Sequence, residues 1–157
     1  MTRAREVAGL AVFIAINVAV SALGGWATAA SVGTWYQGLA KPAFNPPDWI
    51  FAPVWGALYL MIAIAGWRVW RRGSGQARGA LMVYAVQLAL NLSWSFVFFG
   101  ARLIGPALAV IAALLAAIVA NAFLFWRIDR MAGALLVPYA AWVSFATLLT
   151  AALWRLN

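Results

Sequence analysis

Charged residues punctuate this chain at intervals that leave five long apolar runs: 7–40, 49–67, 79–101, 103–126 and 131–154. A bilayer-spanning helix needs roughly 20 apolar residues, so each run is long enough to cross a membrane. The first is too long for one helix, and its second half reads as loop. The pattern predicts helices at approximately 7–25, 47–70, 79–100, 105–126 and 133–154, with a connecting loop over 26–46. The fold class is therefore all-α: an integral membrane bundle of five transmembrane helices in one domain over 1–157. Gly24-Gly25 marks the expected end of the first helix. Pro46-Pro47 suits the first turn of the second, because proline is tolerated there. Asn45 is then the expected cap, and Asp48 sits at the positive end of the helix dipole. The remaining connections are short, which makes neighbouring helices antiparallel and adjacent.

Composition strengthens this picture. The chain is 67% hydrophobic, with a mean hydropathy of +0.93 and only 9% charged residues. Soluble domains carry about 25%. The net charge of +8 comes from arginines scattered at the ends of apolar runs, so it does not read as a nucleic-acid surface. Arg3 and Arg5 before an apolar run resemble a signal peptide, but Val7–Gly24 exceeds a typical h-region of about 7–15 residues; an uncleaved first helix is expected. Eight of the eleven basic residues fall on the N-terminal side of a five-span topology, leaving Lys41, Arg102 and Arg155 on the other. In a bacterial inner membrane this places the N-terminus in the cytoplasm.

Absences narrow the chemistry. With no cysteine and no histidine, the usual thiol, zinc and haem-iron ligands are missing, so no metal site or required cofactor is expected. Glu6, Asp48 and Asp129 all lie at helix edges. Ion-coupled transport normally uses an intramembrane ionisable group, and no such group is present. No acid–base pair or nucleophile arrangement is visible either, which argues against an enzyme.

What the chain does have is aromatic. Residues 35–59, WYQGLAKPAFNPPDWIFAPVWGALY, hold three tryptophans, two tyrosines and four prolines. Stiff aromatic segments at the mouth of a bundle read as a lid over a flat apolar ligand. Trp55 and Tyr59 share one face of the second helix. Gln87, Asn91 and Trp94, at i, i+4 and i+7, share one face of the third. That face is either an interhelical hydrogen bond holding the bundle or the polar floor of a pocket; position alone favours the first. Asn17, Ser21 and Asn121 read as interhelical contacts. In the fifth helix Trp142, Phe145, Ala146 and Leu149 lie together, and small Ala146 leaves a slot beside the indole. Trp67, Trp70, Trp126 and Trp154 fit the interfacial aromatic belt. Ala109, Ala113 and Ala117, and Ala112, Ala116 and Ala120, form small-residue rows that serve either an oligomer contact or internal packing.

Four segments in order, WYQGLAKPAFNPPDW (35–49), PVWGALY (53–59), QLALNLSWSFVFFGAR (87–102) and VPYAAWVSFAT (137–147), resemble the translocator protein / tryptophan-rich sensory protein family, once called the peripheral benzodiazepine receptor. The resemblance covers nearly the whole chain. It implies a five-helix bundle, usually a homodimer, that binds porphyrins such as protoporphyrin IX and haem, sterols in some members, and isoquinoline and benzodiazepine drugs. It implies a receptor or carrier acting in tetrapyrrole metabolism or stress; light- and oxygen-dependent porphyrin breakdown is the alternative. Carried over by motif, the lid includes Tyr36 and Pro46. The walls include Trp55, Tyr59, Asn91, Trp94, Trp142 and Ala146, which moves Asn91 toward the pocket. Lys41 and Arg102 are the expected rim partners for propionates. One departure weakens sterol binding: Ala151 and Ala152 stand where the animal recognition stretch would have aromatic residues.

Overall fold

The computed structural model describes residues 1–157. Helix α1 spans Arg3–Val32, α2 Phe51–Arg72, α3 Gly75–Ser95, α4 Ile104–Ile128, α5 Arg130–Leu135 and α6 Val137–Leu156. The short α5 and α6 together form the fifth span, and all five spans are long and apolar enough to cross a bilayer. α4 packs along α3 on one side and α6 on the other, while α1 leans on α2. Ile62, Val69, Ile111, Leu114, Ile118, Phe125 and Val143 fill the shared core.

α1 does not stop at Gly24-Gly25. It continues to Val32 and is 30 residues long, or about 45 Å at 1.5 Å per residue. Glycine inside a helix costs only about 1 kcal/mol relative to alanine, and in lipid an unmade backbone hydrogen bond costs several times more. Gly24 is a packing residue instead: a Cβ there would lie 3.3 Å from Ser95 Oγ. The predicted loop 26–46 is correspondingly shortened, and the last turns of α1 rise into the lid layer.

The other ends follow local rules. Gly73 takes a left-handed conformation (φ 62°) and its N–H donates to the Trp70 carbonyl, ending α2. Ser74 then caps α3 by accepting from Ala77 N at 3.2 Å. The predicted connection between these helices therefore shrinks to two residues, and α3 starts at Gly75 rather than 79. α2 is entered through a tight 3₁₀ turn, Asp48–Ile50, whose cap residue is Pro47. Asn45 is not the cap; its Oδ1 accepts from the Tyr36 hydroxyl at 3.0 Å. α3 closes in a π-turn over Phe96–Gly100, where Ala101 N donates to the Phe96 carbonyl at 2.7 Å. At the opposite end of the bundle Asp129 caps α5 through Ala132 N. The fifth span breaks near Leu136, just before Pro138, which cannot donate to the preceding turn.

Asp129 lies at a helix edge, as the sequence implied, but it is buried, with 3% of its surface exposed. Arg68 and Arg72 of α2 reach it at 3.1 and 2.9 Å. Burial alone would raise its pKa. The hydrogen bonds from Ala132 N, Arg72 and Arg68 more than offset that and hold the carboxyl at about 2. Beside this cluster Trp67 Nε1 donates to the Glu6 carbonyl at 2.9 Å, and Arg71 lies over the Trp67 ring. Both the Trp67 and Trp70 indoles turn onto α1, Trp70 packing against Gly9 and Phe13.

Candidate functional site

The end of the bundle opposite Asp129 contains a cavity of about 380 Å³, within the range of small-molecule sites. α1, α2, α3 and α6 wall it, and Tyr36 of the connecting segment 33–47 joins them. Seven of the eight residues expected at a site line it: Tyr36, Trp55, Tyr59, Asn91, Trp94, Trp142 and Ala146. Pro46 does not. It is half-buried within the lid, and its carbonyl accepts from Asn45 Nδ2.

The walls are built from helical spacing. Trp55 and Tyr59, one turn apart on α2, pack at 5.6 Å between ring centroids. Trp142 and Ala146 are one turn apart on α6, and Phe51 meets the Trp142 indole edge-on at 6.0 Å. On α3 Trp94 stacks on Phe98 at 5.2 Å. The π-turn inserts an extra residue at this point and brings Phe98 and Phe99 together against the lid. Trp35 and Tyr36 settle on them in tilted and edge-on contacts. Of the aromatic residues in the 35–59 stretch, Trp49 takes no part; it is 73% exposed.

The floor is a polar ladder that ends at Gln87, whose Nε2 has no partner. The Tyr59 hydroxyl donates to Asn91 Oδ1 at 2.7 Å. Asn91 Nδ2 donates to the Tyr139 hydroxyl at 2.8 Å, which donates in turn to Gln87 Oε1 at 2.7 Å. Asn91 is therefore both a cavity wall and an interhelical tie linking α2, α3 and α6. Tyr139, fully buried, joins the two amides and was not singled out in the sequence. Its signal was its place three residues before Trp142, on the same helical face. Asn17 and Asn121 make the expected interhelical bonds, to the Tyr84 hydroxyl and the Ala80 carbonyl. Ser21 lines the cavity instead.

The lid is tied in three places. Tyr36 holds Asn45, Gln37 Nε2 donates to Asp48 Oδ2 at 2.8 Å, and Asn157 exchanges two 2.9 Å hydrogen bonds with the backbone of Ala40. Burial, with a smaller push from the Asp48 charge, raises the Tyr36 hydroxyl above the ordinary phenol pKa, against the lowering effect of its bond to Asn45. The two expected rim cations do not line the cavity. Lys41 Nζ donates to the carbonyls of Gln37 and Leu39 and sits 4.8 Å above the Tyr36 ring. Arg102, in a left-handed conformation (φ 59°), donates through Nε to Ser31 Oγ. Local oxygens thus engage Lys41 Nζ and Arg102 Nε.

Comparison with known proteins matches the same segments. A family model described as "TspO/MBR family" matches residues 13–155. The chain is 39% identical over 126 residues to the human "Translocator protein", covering 78% of this chain and 75% of that one. It is 43% identical over 124 residues to the "Tryptophan-rich sensory protein" of Cereibacter sphaeroides, covering 78% and 77%. It is 35% identical over 154 residues to "Protein CrtK" of Rhodobacter capsulatus, covering 94% of both chains. Five apolar spans, an aromatic cavity beneath a proline-rich lid and a family match over most of its length make this chain an integral, multi-pass membrane protein belonging to the TspO/MBR family.

Proposed function

We propose that the protein is a membrane receptor or carrier for porphyrin-like ligands, held between the α2, α3 and α6 walls beneath the lid. One observation carries this reading. The cavity presents indoles from three different helices, Trp55, Trp94 and Trp142, around one space. An aromatic pair contributes about 0.5–1.5 kcal/mol beyond its buried area, so a flat macrocycle gains from several walls at once. In this reading the N-terminus faces the cytoplasm, and isoquinoline- or benzodiazepine-type rings occupy the same space. A homodimer would use the outward alanines of α4, Ala112, Ala116 and Ala120, which are exposed in the single chain and would let a second helix approach closely.

Titration of the detergent-solubilised protein with protoporphyrin IX, followed by tryptophan quenching, tests the reading. Loss of one indole in Trp142→Ala or Trp55→Ala should weaken binding about three- to ten-fold, the equivalent of one aromatic contact. Unchanged affinity in both variants would refute the assignment of this cavity.

A further inference from the structure

The cavity wall carries a charge opposite to that of the protein. The chain has eleven Lys and Arg against three Asp and Glu. Yet only one lining residue is of a charged type, and it is an acid, Asp48. Asp48 stands exposed at the mouth, in the first turn that leads into α2. Gln37 engages its Oδ2, and no hydrogen bond within the protein involves Oδ1. It also has no cationic partner, because the ion pairs of this protein go to Asp129 and Glu6. Lys41 and Arg102, the basic residues nearest in role, are occupied by Gln37, Leu39 and Ser31.

We infer that Asp48 makes the cavity select flat ring ligands that bring a hydrogen-bond donor or a positive charge to its mouth, and reject those that bring a carboxylate there. This rests on the ring-binding reading above and deepens it. The walls carry no formal charge, so they chiefly set how tightly a ring is held. The carboxylate at the entrance then sets which substituent on that ring is tolerated. A tetrapyrrole bearing acidic side chains would have to seat with them turned away from the Asp48 edge, and its neutral ester or an amine-bearing analogue would not.

Two probes with one ring and opposite charge test this: 1-pyrenylmethylamine and 1-pyrenylacetate, titrated into the full-length protein in a non-ionic detergent at low salt. Energy transfer from tryptophan to pyrene reports binding. An exposed ion pair contributes up to about 1 kcal/mol, so the amine should bind about five-fold more tightly than the acid. The ratio should fall to near one in Asp48→Asn, persist in Asp48→Glu, and shrink as salt screens the mouth. An acid that binds as tightly as the amine, or a ratio that survives Asp48→Asn, overturns the inference. If Trp142→Ala then still weakens both pyrenes, the ring-binding reading stands without it. If neither pyrene receives energy from the tryptophans, both fall together.

Discussion

Replacing Tyr139 with phenylalanine should destabilise the bundle more than any other single-atom change near the cavity. The ring stays, and with it the edge-on contact to Trp55. Only the hydroxyl is lost, and with it one accepted bond from Asn91 and one donated bond to Gln87. Both partners are buried: Asn91 is 3% exposed and Gln87 0%. Hydrogen bonds between membrane helices average about 0.6 kcal/mol each, which sets a floor near 1 kcal/mol for two. The stranded amide groups add desolvation penalties of about 1–3 kcal/mol each where nothing replaces the partner. Taking the low end of each, a total of about 3 kcal/mol is expected, measured as a shift in the denaturation midpoint of the solubilised protein. Gln87 sharpens the test, because its Nε2 already lacks a partner. Adding Gln87→Leu to Tyr139→Phe removes a stranded group and should restore about half of the loss. A Tyr139→Phe variant within about 0.3 kcal/mol of the parent, or a double variant weaker than the single, would refute the view that this ladder ties the helices together.

Acid should weaken the far end of the bundle through Asp129. Its folded pKa of about 2 lies below the ordinary 3.8, so its contribution, about 2 kcal/mol, is present above pH 4 and lost as pH falls toward 2; Asp129→Asn should flatten that part of a stability–pH profile. Gly133→Ala should cost about 1–3 kcal/mol by overpacking, since its Cβ would lie 2.7 Å from the Trp126 Cα. Gly79→Ala meets nothing within 4 Å and should be neutral or slightly stabilising in the same melt. Asn157→Ala should leave the melting midpoint nearly unchanged but speed hydrogen exchange at the Ala40 amide, whose side-chain acceptor it removes; an unchanged rate would refute the tether.

The spans were legible because they depend on a coarse quantity, the length of sequence without charge, and lipid enforces that length strongly. The cavity walls were legible because i, i+4 neighbours must share a helix face. Trp55 with Tyr59, and Trp142 with Ala146, needed no knowledge of the neighbouring helices. What sequence could not supply was pairing across distance. Asp129 meets arginines 57 and 61 residues away, and Tyr139 reaches amides on a helix about 50 residues earlier. Lys41 and Arg102 belong with these: sequence places them on the lid side but does not show the carbonyls and the serine that they meet. The end of α1 was misplaced because a glycine pair looks like punctuation when its packing partner, Ser95, is unseen.

Several polar residues line the cavity, yet most of their groups are already used. Tyr59 and Asn91 bind each other, Thr28 donates to the Gly24 carbonyl, and Thr150 donates to the Ala146 carbonyl. Hydroxyls that bond back to their own helix offer a ligand little, so much of this wall behaves as if it were apolar. The exception is Trp94 Nε1, a buried donor on this wall with no partner, so affinity should follow ring area and gain where a ring acceptor meets that N–H. The lid is held differently, by ties at Asn45, Asp48 and Ala40 that are largely solvent-exposed. Each such bond adds only about 0.5–1.5 kcal/mol, so the larger part of the lid's hold comes from Tyr36, buried at 3% exposure against Phe98 and Phe99. One of these ties runs through Asp48 itself. Gln37 holds only Oδ2, so a ligand that takes Oδ1 leaves this tie in place, and only one that displaces Gln37 from Oδ2 loosens the lid.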